Sequence, residues 1–418
     1  MSRFFALALL AFTLLSGYSS SQKSRYDPLN FYKFSINAKE CTDSLFTCII
    51  EPMGYPWESH GTVTDDGYVL KLFRIQEKSG RITSGKPVVM LQHGLIDSAD
   101  DWVMNDEKGS LGLILANAGY DVWLTNSRGN KYSRISTNVT PNHKEFWDYS
   151  FQEMGQYDVK ANIDFILKMT GKKKLTYVGH SQGTSQMFAA LGRKETAQFV
   201  NERVNKFIAL APIVFLANSP SKLFHRISAD NFFIDTAKFF GVNEWLSGAC
   251  SMTSIQSEFQ YAVCKVAPIL CDWLIGFVDY NPKYDNNKRL PIFLQHMPAG
   301  TSLRTLLHYT QYFTQKDRSH PVFRMYDFGR SENRKRYGSD VAPDFDLSLI
   351  DIPVRGFYGI EDKLGDPFDN SILRTRLTDL GKDYKDYIYD DCGHMTFMWP
   401  ADPGHIFKDV LAEIASAQ

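Results

Sequence analysis

Leu175 to Lys194 reads LTYVGHSQGTSQMFAALGRK, and the fold of the chain turns on this stretch. LTYV is a short apolar run of strand type, and TSQMFAALGRK is compatible with a helix. Between them, Gly179-His180-Ser181-Gln182-Gly183 puts a serine on a sharp strand-to-helix turn. Such a turn needs small flanks, because a side chain at either glycine would collide with the neighbouring strand or helix while the seryl oxygen is held out at the sheet edge. Ser181 is therefore the candidate nucleophile, on an elbow formed with Gly179, His180 and Gly183. The plainer reading is a glycine-lined turn whose serine caps the helix. The strand before it and the helix after it favour the nucleophile.

The same alternation extends on both sides. Val88 to Gln92 (VVMLQ), Tyr120 to Thr125 (YDVWLT) and Phe207 to Ala211 (FIALA) are further apolar runs rich in Val, Ile and aromatics. Helical-length segments separate them, such as Gly155 to Thr170, where Tyr157, Ala161, Ile163, Phe165 and Ile166 form a stripe of helical period. Strands alternating with helices imply a mostly parallel central sheet covered on both faces, an α/β architecture. Nearer the N-terminus, Thr62 to Arg74 alternates around Asp66-Gly67 and reads as a hairpin. The strand pattern stops after Ala211 and resumes at Val354 to Gly359 (VRGFYG) and Tyr387 to Asp390 (YIYD). The interval carries Phe224, Phe232, Phe233, Phe239, Phe240, Trp245 and Trp273, together with three cysteines. A structureless loop of that length is improbable in a compact domain, so it reads as an inserted subdomain.

A seryl oxygen is a weak nucleophile near neutral pH and needs a base that is itself oriented by a carboxylate. In a strand–serine–helix architecture the partners follow in the order acid, then His, on loops after the last strands. Asp362 follows VRGFYG, with Glu361 and Asp366 as competitors, and His394 follows YIYD. The oxyanion formed on attack needs preorganised N–H donors. One is expected from Gln182, the residue after the nucleophile, and the other from Leu95, in the loop His93-Gly94-Leu95 after VVMLQ. His93 itself reads at least as well as a structural hydrogen-bonder. No metal cluster, dinucleotide fingerprint or P-loop competes, so no cofactor and no metal are expected.

Composition sets the outer bounds. The chain has 418 residues, of which 30 are Phe, 21 Tyr and 7 Trp, which excludes a disordered or low-complexity protein. With 46 Lys plus Arg against 47 Asp plus Glu, it carries no basic footprint for nucleic acid. Arg3, the apolar run Phe4 to Leu15 and the small residues Ser16, Gly17, Ser19, Ser20 and Ser21 have the order of a secretory signal, taken as residues 1–19. No later stretch is long and apolar enough to span a bilayer without a charge, so a soluble lumenal or extracellular protein is expected. Six Cys are too few for a disulfide scaffold and lack zinc spacing. Asn138-Val139-Thr140, followed by Pro141, is the one N-glycosylation triplet.

These residues resemble the acid lipases, the family that includes gastric lipase and lysosomal acid lipase. The likeness runs co-linearly through Gly54-Tyr55-Pro56, Thr64 to Leu70, His93-Gly94-Leu95, Asn126 to Asn130, Phe146-Trp147, Gly179 to Gly183, Ala209 to Pro212 and Pro298 to Ser302. The resemblance implies the α/β-hydrolase fold, with core segments 20–212 and 351–418 and a cap with a mobile lid at 213–350. It implies Ser181, Asp362 and His394 as the catalytic set and Leu95 with Gln182 as oxyanion donors. It implies neutral lipid esters, triacylglycerol or sterol ester, taken from an emulsion or membrane surface by a secreted or lysosomal enzyme. It also implies a disulfide between Cys250 and Cys264, on a spacing longer than the family's. One departure stands beside the base: family members usually carry Asp two residues after the catalytic His, where this chain has Thr396. Cys41, Cys48 and Cys392 have no family counterpart.

Overall fold

A computed structural model describes residues 42–78, 80–229, 241–246, 276, 278–280 and 282–417. The expected signal at 1–19 and the expected pair Cys250 and Cys264 lie outside them. The apolar runs form strands. β1 (Trp57–Val63) and β2 (Tyr68–Ile75) are the hairpin, paired antiparallel with Val63 opposite Val69. Then come β3 (Val88–Gln92), β4 (Asp121–Thr125) and β5 (Ile135–Ser136), the last a short strand on β2. β6 (Leu175–His180) and β7 (Val204–Leu210) follow, and β10 (Val354–Gly359) and β11 (Tyr384–Tyr389) complete the main sheet. Its order is β1-β2-β4-β3-β6-β7-β10-β11. Pairing is parallel from β4 through β11 and antiparallel at the β1 end.

Successive side chains of the central strands point to opposite faces, and both faces are dry. Val88, Met90, Tyr177 and Phe207 enter one core, whereas Val89, Leu91, Val178 and Ile208 enter the other. On the first face lie α3 (Val159–Thr170), α4 (Gln182–Leu191), α5 (Lys194–Arg203) and α7 (Pro367–Asp379). On the second lie α1 (Thr42–Met53), α2 (Leu111–Asn117) and α8 (Pro403–Ala415). The sequence stripe from Gly155 begins not as an α-helix but as a π-turn over Met154–Asp158, continuing into α3. A Cβ on Gly155 would lie 2.6 Å from the Gln186 carbonyl, so the backbone of this turn packs directly on α4.

Between β7 and β10 the described residues add nothing to the main sheet. They carry a separate two-stranded sheet, β8 (Glu244–Trp245) with β9 (Thr301–Ser302), and helix α6 (Leu303–Phe313), which Ser302 caps through the Thr305 N–H. The segment is tied to the core by the Ala299 N–H on the Ile96 carbonyl and by Arg134 paired with Glu244. Lower down, a buried guanidinium organises the hairpin: Arg128 bridges Asp158 before α3 and Asp66 in the β1–β2 turn.

Candidate active site

The turn after β6 forces Ser181 into φ 51°, ψ −118°, a conformation costing an L-residue about 1–3 kcal/mol. The two glycines let the surrounding backbone close on it. A Cβ on Gly179 would lie 2.8 Å from the Gly183 carbonyl oxygen, and one on Gly183 would lie 2.4 Å from the Gln92 carbonyl oxygen. The strain is held by the Ser181 N–H on the Leu210 carbonyl (3.0 Å) and by the Thr184 hydroxyl on the Ser181 carbonyl (2.6 Å).

His394 reaches this serine across 213 residues of sequence. Its Nε2 stands 2.8 Å from Ser181 Oγ, and its Nδ1 stands 2.8 Å from Asp362 Oδ2. Because a carboxylate only accepts, Nδ1 carries the proton and Nε2 presents a lone pair to the seryl hydroxyl. The other Asp362 oxygen accepts the N–H groups of Leu364 and Gly365, both at 2.7 Å. Of the competing acids, Asp366 instead caps α7, accepting from Phe368 and Asp369. Glu361 offers its backbone N–H to the Cys392 carbonyl. All three members of the relay are buried, Ser181 being 7 % exposed.

The loop that carries Leu95 packs against the same turn. A Cβ on Gly94 would lie 3.3 Å from the Ser181 Cβ, so the loop His93-Gly94-Leu95 rests on the elbow. Among the described residues the backbone N–H groups of Leu95 and Gln182 have no acceptor, and Gln182 opens α4, where the first N–H groups lack helical partners. His93 braces this loop: Nδ1 donates to the Gly94 carbonyl (2.8 Å) and Nε2 accepts from the Ser127 N–H (3.0 Å). Burial pushes its pKa down to about 4, keeping it neutral. His180 is likewise held neutral by burial, its Nε2 donating to the His394 carbonyl at 2.9 Å. Asn138 stands apart on the surface, its side-chain amide donating to the Asp66 carbonyl.

Two acids that sequence reading missed support the base. Asp279 pairs its backbone with Asp362, and its carboxylate accepts the N–H groups of His394 and Met395, so one short stretch holds both the acid loop and the base loop. A Cβ on Gly393 would lie 2.4 Å from that carboxylate. Asp285 accepts from the Thr396 hydroxyl, which in turn accepts the Gly393 N–H at 2.9 Å. The position where the resemblance expects Asp thus meets a carboxylate supplied from the segment between β7 and β10. Nothing in the local sequence marks these acids, because the groups their carboxylates meet lie more than a hundred positions away.

The chain matches the family described as the partial alpha/beta-hydrolase lipase region over residues 46–106, and the alpha/beta hydrolase fold over 87–243. It is 36% identical to the gastric triacylglycerol lipase of Homo sapiens over 376 residues, 87% of this chain and 88% of that one. The gastric triacylglycerol lipase of Rattus norvegicus is 37% identical, covering 87% of this chain and 89% of its own. Lipase lipl-1 of Caenorhabditis elegans is 36% identical, again over 87% and 89%.

Proposed function

The chain belongs to the acid lipase family of α/β hydrolases, and we propose that it hydrolyses neutral lipid esters, triacylglycerol or sterol ester, through an acyl-enzyme on Ser181. The relay from Ser181 Oγ through His394 to Asp362, with both links at 2.8 Å, carries this reading. His394 Nε2 takes the hydroxyl proton as Oγ attacks the ester carbonyl, and Asp362 stabilises the imidazolium that results. The carbonyl oxygen becomes an anion between the N–H groups of Leu95 and Gln182. Collapse breaks the ester bond, with His394 returning its proton to the departing alcohol. Water then attacks the acyl-enzyme with His394 as base and releases the fatty acid.

Residues 213–350 act as cap and lid in this proposal. An aromatic-rich cover supplies the dry pocket that acyl chains require, and its opening presents the site to a lipid surface. Residues 1–19 direct the chain into the secretory route, to the lysosome or outside the cell, and Asn138 is exposed where a glycan could attach. Among the described residues no helix is long and apolar enough to cross a membrane.

The test is hydrolysis of triolein and cholesteryl oleate emulsions by the purified mature protein across acid to neutral pH. The wild type releases oleate, while Ser181→Ala falls by several orders of magnitude, since triad members act as a unit. Release undiminished in that variant refutes the assignment. Cleavage confined to soluble short-chain esters would make the protein an esterase instead.

A further inference from the structure

Behind the nucleophile lies a polar cluster that the ester chemistry leaves unused. Asp97 follows the oxyanion loop, Asp101 sits one turn on in the 3-10 segment Ala99–Trp102, and His180 ends β6 beside Ser181. Their exposures are 2 %, 1 % and 2 %. One ligand atom from each lies within 4.8 Å of the other two.

The donor chemistry of the cluster is one-sided. His180 Nε2 faces the His394 carbonyl, a pure acceptor, so it carries the ring hydrogen and Nδ1 is a lone pair. That Nδ1 has no hydrogen-bond partner, and neither oxygen of Asp101 meets a donor group; its carboxyl instead faces that of Asp97 within hydrogen-bond reach. Asp97 uses one oxygen for the Ser98 N–H at 2.6 Å. The nearby cations are engaged elsewhere: Lys131 Nζ binds Asp100 (2.6 Å) and the His296 carbonyl (2.9 Å), and His296 Nδ1 also faces Asp100. Among the described residues no ion pair reaches Asp97 or Asp101. Three Lewis bases therefore converge in a dry space, where two carboxyl groups side by side need either a shared proton or a cation between them.

We propose that Asp97, Asp101 and His180 form a binding site for a divalent transition metal ion of the zinc type, which staples the oxyanion loop to the nucleophile elbow. Two carboxylates and one imidazole suit zinc better than the all-oxygen shells of calcium or magnesium. Bonds of about 2.0–2.2 Å to a tetrahedral ion bring ligand atoms to roughly 3.3–3.5 Å, a closure of at most about 1.5 Å that carboxylate rotation supplies. The His180 Nε2–H on a backbone carbonyl is the arrangement in which a metal-bound imidazole is normally held. The ion is structural. It touches no reacting atom and acts through the placement of Leu95 and Ser181. The alternative occupant is a proton shared between the two carboxyl groups.

The experiment uses the full mature chain expressed in zinc-supplemented medium, with metal content read by plasma mass spectrometry and the melting temperature read with and without chelator. The expected result is about one zinc per chain, a melting temperature lowered by chelation and restored by zinc chloride, and loss of both effects in Asp97→Asn and Asp101→Asn. Wild-type protein that is metal-free and indifferent to chelator and zinc overturns the proposal in favour of the shared proton. Zinc retained at full stoichiometry in both variants also overturns it, since the ion then sits elsewhere. If the variants do not fold, the wild-type metal content and chelator response decide alone. Both readouts are taken without substrate, so they stand apart from the outcome of the lipase assays.

Discussion

At the residue scale, the orientation of one imidazole depends on how Asp362 spends its two oxygens. Oδ1 is committed to the Leu364 and Gly365 N–H groups, leaving Oδ2 for His394 Nδ1. In Asp362→Asn the amide oxygen keeps the two backbone donors, so the NH2 group faces His394 and selects the tautomer with hydrogen on Nε2. That tautomer cannot take the Ser181 proton. Turnover should fall by roughly four orders of magnitude with KM and melting temperature little changed. A loss below tenfold would show that Asp362 does not orient the base. The places of Asp362 and His394 after late strands made them the proposed acid and base. Asp279 could not, because its role lies in accepting backbone N–H groups from a loop 115 residues onward.

At the element scale, the turn at Ser181 forms because β3, β6 and α4 approach more closely than side chains allow. Gly183→Ala forces a Cβ to 2.4 Å from the backbone of β3, and the neighbours are carbonyls that cannot rotate aside. By contrast Gly171, which ends α3 at φ 67°, has open space around it. Urea unfolding should report a cost of about 3 kcal/mol for Gly183→Ala and about 1 kcal/mol for Gly171→Ala, the latter from backbone conformation alone. Equal costs would argue that the elbow is not close-packed. Element boundaries show where sequence pattern is weak. β3 and β10 match their apolar runs because both faces are buried, whereas β11 starts at Tyr384, ahead of the run YIYD. It is an edge strand with Lys385 exposed, so its first half lacks an apolar signature.

At the scale of the whole molecule, buried titratable groups pull stability in opposite directions on acidification. Burial pushes His93 down to about 4 and His308 to about 3, below the ordinary 6.5. Their contribution is complete above pH 6.5 and is lost as pH falls through the folded values, because the unfolded chain binds the protons first. Burial pushes Asp285 and Asp369 up to about 6, from 3.8. Their contribution is complete below pH 3.8 and is lost as pH rises through 6. The two sets offset each other between roughly pH 4 and 6. His308→Gln removes one group of the first set. Its stability relative to wild type, from urea midpoints, should rise by roughly 2–3 kcal/mol between pH 7 and 4.5. A pH-independent difference would refute this account.

Alternation of apolar runs with helical stripes determined by itself that a doubly covered parallel sheet would form, since burial on both faces demands that pattern. The glycines around Ser181 likewise announced a close-packed elbow, because only a missing Cβ permits it. What tertiary structure alone decided was the company each polar group keeps. Which carboxylate, among Glu361, Asp362 and Asp366, faces His394 depends on loop closure. So do the meeting of Thr396 with Asp285 and the convergence of Asp97 and Asp101 on His180. Hydrogen bonds act over about 3 Å and carry no periodicity along the chain, so partners distant in sequence leave no trace in it until the backbone has folded.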